Sequence, residues 1–547
     1  MIKWKRTIFL LPVLLFLLNV VYPIYLLAVS NETGVKIKFK VQLLNSSDNK
    51  VDVFISSNSF IGEDTQLSII MAKNIVCSIF DCKGKDFLVK IYGDTPLLSG
   101  PSGGAAFATG MVEVLLHLPD KDVGITGTIN PGGVIGPVGG VNYKVQAAKD
   151  LDLVIIPLGE KIYRDPLTNK TYNLSYPNVK EAGTLFDILR LVWRINIKLK
   201  THNLSVPDWY KKTMKEIAND LCSKINYEVK DNESYYAQAS FCFTKLINIY
   251  KENYSRYDLK ELIQEETKLE EELNRLEEKL RSKFETINGL NELQLYMILY
   301  KRINDAKDNL KKLNETIKDI LINGSSQEKI EQFINILSYT RARIDSIKEW
   351  SKFIYTMPKG VPINIERINY LCKENYLQVK SYYDYLEGLY ASYDLPFHFF
   401  YLDNLMKKLD EYKEKNPILC LAYAKELKSN IDSILALTYL TKNNLPTFFN
   451  STNKITKFYI ERNKEFPVMA YAYWNYANFL AKKNDYISAI NYNYLAMNLA
   501  TMIFEINEKE KVPIIVEFQN KFNKETIFYL TIIFTFFFYF IMIVKFI

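Results

Sequence analysis

The chain has 547 residues, which is too long for one ordinary hydrophobic core, so two or three domains are expected. Its 48% hydrophobic and 24% charged residues are typical of a globular protein. The net charge of +7 arises from 69 basic and 62 acidic residues, without a long basic block. So diffuse an excess argues against nucleic acid as a partner.

The N-terminus combines basic residues with a long uncharged segment. The basic residues are Lys3, Lys5 and Arg6. Residues 7–29, TIFLLPVLLFLLNVVYPIYLLAV, form a longer run than the ~7–15 apolar residues of a cleavable signal and match the ~20 that span a bilayer. We expect a signal anchor or transmembrane helix within residues 1–30, while Ala28 and Ser30 leave cleavage open as the alternative.

A second apolar segment lies near the end of the chain. Residues 526–544, TIFYLTIIFTFFFYFIMIV, contain no charge and are followed by Lys545. Their length and hydropathy predict a second transmembrane helix. Because the basic flank keeps the N-terminus in the cytoplasm, the expected location is the cell membrane, with residues 30–525 on the extracytoplasmic side.

The cysteines are six in number and none belongs to a C-x-x-C motif, so neither a metal site nor a redox motif is expected. They fall as three local pairs, namely Cys77 with Cys82, Cys222 with Cys242, and Cys372 with Cys420. Disulfides within these pairs would suit an exported domain. Six unpaired buried thiols are the alternative.

Residues 31–200 contain nearly all of the glycines and mix two kinds of apolar pattern. Alternating or continuous apolar runs predict strands at residues 35–44, 50–56, 85–93, 122–129 and 152–159. Helical spacing predicts helices at residues 64–80, 103–117, 141–151 and 181–195. Together these elements predict an α+β domain.

After residue 205 the strand pattern disappears and an all-α array is expected. In the region 205–330 the apolar positions alternate by four and three, first at Leu269, Leu273, Leu276 and Leu280, and again from Leu299 to Ile320. The segment INGLNELQ separates the two runs. This pattern predicts an antiparallel helical hairpin of coiled-coil character.

The region 331–520 is also expected to be helical. Residues 472–500, AYWNYANFLAKKNDYISAINYNYLAMNLA, resemble a tetratricopeptide repeat in the spacing of their small and aromatic residues. Residues 423–440 are a candidate for a degenerate neighbouring repeat. An ordinary pair of helices is the alternative.

Ser102 lies in the segment GDTPLLSGPSGGAAFATGM, residues 93–111, where glycine and proline form a turn before a helix of small residues. Backbone N–H groups at a helix start have no partner within the helix, and a developing oxyanion requires such donors. Ser102 is therefore a candidate nucleophile. A serine that only caps the helix is the alternative.

A second glycine-rich turn, Pro137-Val138-Gly139-Gly140, precedes Lys144 on the first turn of a predicted helix. Together, the Gly100-Pro101-Ser102 turn, Thr126-Gly127 and this second turn with its lysine closely resemble the proteolytic domain of Lon-type serine proteases. The likeness is strong over about residues 85–160 and extends over residues 33–195.

The resemblance implies a Ser-Lys dyad in which Ser102 attacks the peptide carbonyl and Lys144 takes its proton. Lysine in water has a pKa of ~10.4, so burial among apolar residues would have to lower it. Thr126 would orient Lys144. The supporting positions of the serine turn would be Gly100, Pro101 and Gly103.

Three positions depart from the pattern of the family. Ser99 stands where the family often has an acidic residue, and Gly103 stands where alanine is common. The segment between the serine helix and Thr126 is slightly shorter. These departures leave the dyad intact and put the geometry of the serine loop in question.

The sequence has no G-x-x-x-x-G-K-S/T motif, so no ATPase module and no cofactor are expected. Its layout resembles the ATPase-free, membrane-associated Lon-like proteases of archaea. The resemblance implies an ATP-independent endopeptidase that acts on unfolded or flexible proteins, with the membrane as a partner, and a homo-oligomer that is hexameric by family likeness.

Two non-enzymatic hypotheses are the alternatives. A catalytically inactive Lon-like scaffold could use its helical array to bind protein partners at the membrane. A membrane adhesin is a third reading, but it leaves residues 85–160 unexplained. The presence of both Ser102 and Lys144 in matching contexts favours the enzyme, because a scaffold needs neither.

Overall fold

A seven-stranded mixed β-sheet organises the N-terminal part of the chain. In this computed structural model the described residues are 24–30, 33–46, 51–93, 96–164, 170–199, 205–231, 233–281, 283, 287–392, 399–506 and 514–518.

The N-terminal part alternates short strands with helices. Its strands are β1 (Ile24–Ser30), β2 (Thr33–Asn45), β3 (Val53–Ser57), β4 (Phe60–Ile61), β5 (Lys85–Tyr92), β6 (Leu97–Leu98), β7 (Val123–Ile125), β8 (Thr128–Asn130), β9 (Val134–Gly136), β10 (Leu153–Pro157), β11 (Ile162–Arg164), β12 (Thr171–Asn173), β13 (Val179–Ala182) and β14 (Ile195–Leu199). Its helices are α1 (Glu63–Ile79), α2 (Gly104–Leu115), α3 (Val141–Ala147) and α4 (Leu185–Trp193). The predicted mixture of strands and helices is confirmed.

The main sheet has the strand order β13-β10-β7-β1-β2-β5-β3. Strands β13, β10, β7 and β1 run parallel to one another, whereas β2 is antiparallel to both β1 and β5. Strands β8 and β9 form a separate antiparallel hairpin. In the sequence, this hairpin lies between the turn that contains Ser102 and the turn that precedes Lys144.

Strand β1 corrects the prediction for the N-terminal segment. Residues 24–29, which the sequence places within a membrane span, lie instead in the middle of the sheet between β2 and β7. Ile24, Leu26 and Leu27 are buried. A continuous apolar run is typical of a buried central strand as well as of a membrane helix, so its composition alone could not separate the two.

The structure contradicts the predicted fold class with a hydrophobic span at each end. Within the described ranges, every helix is too short or too polar to cross a membrane. This finding also overturns the predicted location at the cell membrane. Residues 1–23 and the predicted span at 526–544 lie outside the described residues.

The C-terminal part is a helical array, as predicted. Its helices are α5 (Asp208–Ser223), α6 (Tyr235–Tyr254), α7 (Leu259–Arg281), α8 (Leu290–Asn323), α9 (Gln327–Trp350), α10 (Phe353–Thr356), α11 (Ile365–Ser392), α12 (Phe400–Tyr412), α13 (Pro417–Tyr439), α14 (Leu445–Arg462), α15 (Val468–Lys482), α16 (Tyr486–Ala500) and α17 (Met502–Ile506). A strand after them, β15 (Ile514–Phe518), pairs antiparallel with β14.

The predicted helical pairs are present with different boundaries. Helices α7 and α8 form the expected hairpin, but α8 already begins at Leu290, inside the segment predicted to separate them. Helices α15 and α16 form the pair at residues 472–500. The proposed neighbouring repeat at 423–440 belongs to the single helix α13, so it is not a helix-turn-helix unit.

The structure forms the three disulfides that the spacing of the cysteines predicts. Cys77–Cys82 closes the end of α1, and Cys222–Cys242 joins α5 to α6. Cys372–Cys420 joins α11 to α13 within the array. Every described cysteine is paired, so the alternative of unpaired thiols is not realised.

Sheet and array share one apolar core. Buried residues form a continuous cluster that runs from the strands into helices α5 to α17. At Gly132, in the β8–β9 turn, a Cβ atom would lie 2.9 Å from Ile455 and 3.1 Å from Met497 and Tyr459. A side chain at this position would therefore require Ile455 in the array to shift, and glycine also supplies the φ of +75°.

Candidate active site

The turn before α2 presents Ser102. Gly100 adopts a φ of +112°, which is a glycine conformation, and Pro101–Gly103 form one turn of 3₁₀ helix. Thr65 Oγ1 donates a hydrogen bond of 3.0 Å to the Gly100 carbonyl, and Ser68 Oγ donates one of 3.2 Å to the Pro101 carbonyl. Helix α1 thus stabilises the serine turn through two side-chain hydrogen bonds to its backbone.

Ser102 does not cap the helix. The N-cap position of α2 is Gly103, and no side chain caps it. The side chain of Ser102 is half-buried, and among the described residues its hydroxyl has no hydrogen-bond partner. The capping alternative is therefore not realised, and the hydroxyl is available for chemistry.

Thr126 connects the serine turn to the lysine. Its hydroxyl lies 3.4 Å from the Ser102 carbonyl, to which it donates, and accepts a hydrogen bond of 3.2 Å from Lys144 Nζ. Gly127 N–H also donates to the Ser102 carbonyl at 2.9 Å. Thr126 itself is fully buried. The structure therefore brings Ser102, Thr126 and Lys144 together.

Lys144 lies in the seven-residue helix α3, which follows Gly140, whose φ is +64°. The side chain is 3% exposed. Burial disfavours the ammonium form and lowers the pKa of Lys144 to about 8, against an opposing effect of Glu160. At this pKa a substantial fraction of the amine is neutral near physiological pH and can accept a proton.

Glu160 is a site residue that the sequence analysis missed. It is fully buried after strand β10, and its Oε1 accepts a hydrogen bond of 2.8 Å from Val138 N–H in the turn before Lys144. Burial raises the pKa of the Glu160 carboxyl. Its only signal in the sequence is a carboxylate directly after a buried strand.

Ser99, which stands where the family often has an acidic residue, contacts an acidic side chain from α1. Ser99 Oγ lies 2.9 Å and 3.0 Å from the two carboxylate oxygens of Asp64, in the first turn of α1. A carboxylate is therefore present beside the serine turn although residue 99 is not acidic. This carboxylate belongs to α1, which is distant from the serine turn in sequence, so no local motif indicates the contact.

The helical array contacts two adjacent residues of β8, the first strand of the β8–β9 hairpin. Tyr382 in α11 donates a hydrogen bond of 2.9 Å to the Ile129 carbonyl. Lys428 in α13 donates one of 2.9 Å to Asn130 Oδ1. The two side chains also touch, because Lys428 Nζ lies 3.9 Å from the centre of the Tyr382 ring.

A third contact reaches the turn that precedes Lys144. The hydroxyl of Tyr385, also in α11, accepts a hydrogen bond of 3.2 Å from Gly139 N–H. Glu160 holds the adjacent Val138 N–H. The lysine turn is thus held by one group from its own domain and one from the array.

Part of the chain is similar to known proteins. Residues 84–168 match the family profile of the Lon protease C-terminal proteolytic domain. This segment includes Ser102, Thr126, Lys144 and Glu160.

Relatives of known description resemble the same part of the chain. The archaeal Lon protease of Thermoplasma acidophilum is 30% identical over 114 residues, which are 20% of this chain and 17% of the relative. The Lon protease of Trichlorobacter lovleyi is 44% identical over 61 residues, 11% of this chain and 8% of the relative. Lon protease 2 of Bacillus subtilis is 39% identical over 75 residues, 13% of each chain. The chain thus spans less than a fifth of the length of the relatives that it matches.

Proposed function

Since residues 84–168 form a Lon-type serine protease proteolytic domain, we propose that the protein is a serine endopeptidase with Ser102 and Lys144 as its catalytic dyad. The observation that carries the proposal is the buried Lys144, whose pKa is lowered to about 8 and whose Nζ is hydrogen-bonded to Thr126 beside Ser102. A lysine in this state can act as the general base that a serine nucleophile requires.

The reaction begins when the neutral Nζ of Lys144 takes the proton of the Ser102 hydroxyl. Ser102 Oγ then forms a bond to the carbonyl carbon of the peptide, and negative charge develops on the carbonyl oxygen. The N–H groups at the start of the turn, those of Ser102 and Gly103, are the proposed donors to this oxyanion. Lys144 gives its proton to the leaving amine, and the C–N bond breaks.

Hydrolysis of the acyl-enzyme repeats these steps with water as the nucleophile. Lys144 takes a proton from water while the water oxygen attacks the ester carbonyl, and the proton then returns to Ser102 Oγ as the acid leaves. Thr126 keeps Lys144 Nζ directed toward the serine turn. Glu160 and Tyr385 hold the turn from which the lysine helix begins.

The proposed substrates are unfolded or flexible proteins and peptides. The chain contains no phosphate-binding motif, so nothing in its sequence supports unfolding of a substrate at the expense of ATP. An extended peptide can reach the half-buried Ser102 hydroxyl without such a step. We further propose a homo-oligomer, a hexamer by likeness to the family, which sedimentation of the full chain at several concentrations would test.

The test is hydrolysis of casein by the full chain in the absence of ATP. We expect Ser102→Ala to lower the rate at least ~1000-fold and Lys144→Ala at least ~100-fold. Lys149→Ala, an exposed lysine just beyond the same helix, is the matched control and should retain wild-type activity. Melting curves of all variants separate loss of catalysis from loss of folding.

The inactive scaffold is the second candidate, and one observation is compatible with it. In the described part of the chain, Ser102 Oγ and Lys144 Nζ are not directly hydrogen-bonded. Catalytic hydrogen bonds are often long without substrate and tighten when substrate binds, so this geometry is compatible with either function. Equal background hydrolysis by wild type and both dyad variants would establish the scaffold.

A further inference from the structure

A cavity of about 280 Å³ lies within the helical array, between α6, α8, α9, α13, α15 and α16. Five aromatic side chains contribute to its walls, those of Tyr236, Phe243, Trp350, Tyr473 and Tyr492. Neither Ser102 nor Lys144 belongs to its lining, so this site is separate from the proposed dyad.

Two lysines line the cavity, and both are neutralised by carboxylates. Lys301 Nζ lies 3.1 Å from carboxylate oxygens of Asp305 and of Glu426, which also lines the cavity. Lys425 Nζ lies 2.7 Å and 2.8 Å from the two carboxylate oxygens of Glu505. The two lysines are therefore already paired and stabilise the cavity wall.

Two arginines of the lining differ from the lysines. Within the described residues, neither Arg302 nor Arg343 has a carboxylate oxygen within 4.0 Å. Arg302 Nη1 donates to Ser346 Oγ at 3.0 Å, and its guanidinium lies 4.8 Å from the Trp350 ring centre. Burial and the charge of Arg343 both lower the pKa of Arg302.

Arg343 is similarly left with unused donors. Its guanidinium donates to the hydroxyl of Tyr339 and lies 5.1 Å from the centre of the Phe243 ring. Its Nε is buried and has no hydrogen-bond partner. A guanidinium has five N–H donors, so each arginine retains several that could bind an anion.

Two like charges without a paired carboxylate in a partly enclosed cavity are unfavourable. One anion between the two guanidinium groups would reduce their repulsion and accept hydrogen bonds from their unused N–H donors. A planar carboxylate fits a guanidinium in a bidentate manner. The cavity already contains the negative charge of Glu426. A ligand with one negative charge therefore suits the two arginines better than a phosphate ester, which carries two. The aromatic walls favour an apolar or aromatic group beside that charge.

We propose that this cavity binds a carboxylate that carries an aromatic group, with Arg302 and Arg343 holding the charge. The carboxylate can belong to a small aromatic acid or to the C-terminal residue of a peptide, because the chemistry of recognition is the same. The inference goes beyond the proposed protease function and does not depend on it.

Calorimetric titration of the full chain with 3-phenylpropionate and with its neutral amide tests the proposal. We expect the carboxylate to bind at least about 10-fold more tightly than the amide, because the amide cannot neutralise the arginines. A tetrapeptide ending in phenylalanine, with a free or an amidated C-terminus, distinguishes the two sources. Binding of the free peptide identifies a peptide site, and binding of the small acid alone identifies a small-molecule site.

Arg302→Gln and Arg343→Gln should each weaken binding of 3-phenylpropionate at least about 10-fold. Arg190→Gln, which removes a surface arginine paired with Asp187, should leave the affinity unchanged. Absence of binding, equal affinity for acid and amide, or wild-type affinity in both cavity variants would overturn the proposal. If a cavity variant does not fold, the comparison of acid with amide on the wild-type chain decides alone.

Discussion

The hydroxyl of Tyr385 accepts a hydrogen bond from the backbone N–H of Gly139 in the turn that begins the lysine helix. The two residues belong to the helical array and the proteolytic domain, so the array reaches the immediate surroundings of the proposed base. The array therefore helps to hold the turn that precedes Lys144, and we expect changes in its helices to alter the proposed catalysis.

Tyr385→Phe tests this positioning role. The substitution removes one hydrogen bond, worth about 1 kcal/mol, and leaves Gly139 N–H without its partner. We expect kcat to fall about 5- to 10-fold with little change in KM, because the substrate is still bound but the base is less well oriented. The measurement is steady-state cleavage of a fluorogenic peptide.

The matched control is Tyr376→Phe in the same helix, since the Tyr376 hydroxyl donates a hydrogen bond to Asp410 within the array. It should retain both kinetic constants. A rise in KM with unchanged kcat in Tyr385→Phe would instead place Tyr385 in substrate binding.

The pH dependence of catalysis follows from the pKa of Lys144. The proposed base must be neutral, and its pKa is lowered to about 8, so kcat/KM should rise with pH through a midpoint at about 8. Glu160 opposes this lowering, so Glu160→Gln should move the midpoint to lower pH. The measurement is a pH profile of kcat/KM for each protein.

The exposed Glu278→Gln is the control for that profile and should leave the midpoint unchanged. A midpoint that stays at about 8 in Glu160→Gln would show that Glu160 carries no charge in the active range. A rate that is independent of pH between 6 and 9 would remove Lys144 as the base.

The stability of the proteolytic domain should depend on Glu113 in α2. Burial, followed by repulsion from Asp120, raises the pKa of this carboxyl from 4.5 to about 8. The folded state then holds the proton more tightly than the unfolded state, so stability is lost as the pH rises from about 4.5 to about 8. Glu113→Gln should remove this loss and raise the free energy of unfolding at pH 9 by up to roughly 5 kcal/mol.

Chemical denaturation at pH 5, 7 and 9 measures the effect. Glu63→Gln, an exposed carboxylate at the start of α1, serves as control and should follow the wild-type pH dependence. A Glu113→Gln variant whose stability falls with pH as steeply as that of the wild type contradicts the assignment.

The disulfide Cys372–Cys420 should stabilise the array more than the other two. It closes a segment with a sequence separation of 48, compared with 20 for Cys222–Cys242 and 5 for Cys77–Cys82. On the chain-entropy estimate, its removal costs about 4 kcal/mol. We expect the paired Cys372→Ala and Cys420→Ala variant to melt at a lower temperature than the paired Cys77→Ala and Cys82→Ala variant. The reverse order would contradict this account.

The elements of the proteolytic domain were predictable because their patterns are local. The alternation in residues 35–44 and the helical spacing in residues 64–80 were enough to predict β2 and α1. Ser102, Thr126 and Lys144 could be selected because each lies in or beside a glycine-bearing motif whose residue types suit the chemistry. Their common location at the hydroxyl of Thr126 is a property of the fold.

The residues that support the site could not be selected in this way. Asp64, Glu160 and Tyr385 reach the two turns from other elements, and nothing in their neighbouring residues indicates a role. Contacts between elements that are distant in sequence leave no periodic signal. The wrong prediction of a membrane span at residues 24–29 has the same cause. Pairing with the neighbouring strands β2 and β7, rather than composition, determines the structure of β1.

Strand β1 also determines where a shortened chain can safely begin. A chain that started at residue 31 would separate the sheet into two three-stranded pieces, β13-β10-β7 and β2-β5-β3, each with a newly unpaired edge. Such edges promote aggregation. Thr126 follows β7, whereas α3 packs on β2 through the contact of Gly34 with the Tyr143 backbone. Truncation would therefore separate the threonine from the lysine that donates a hydrogen bond to it, even though both residues remained in the chain.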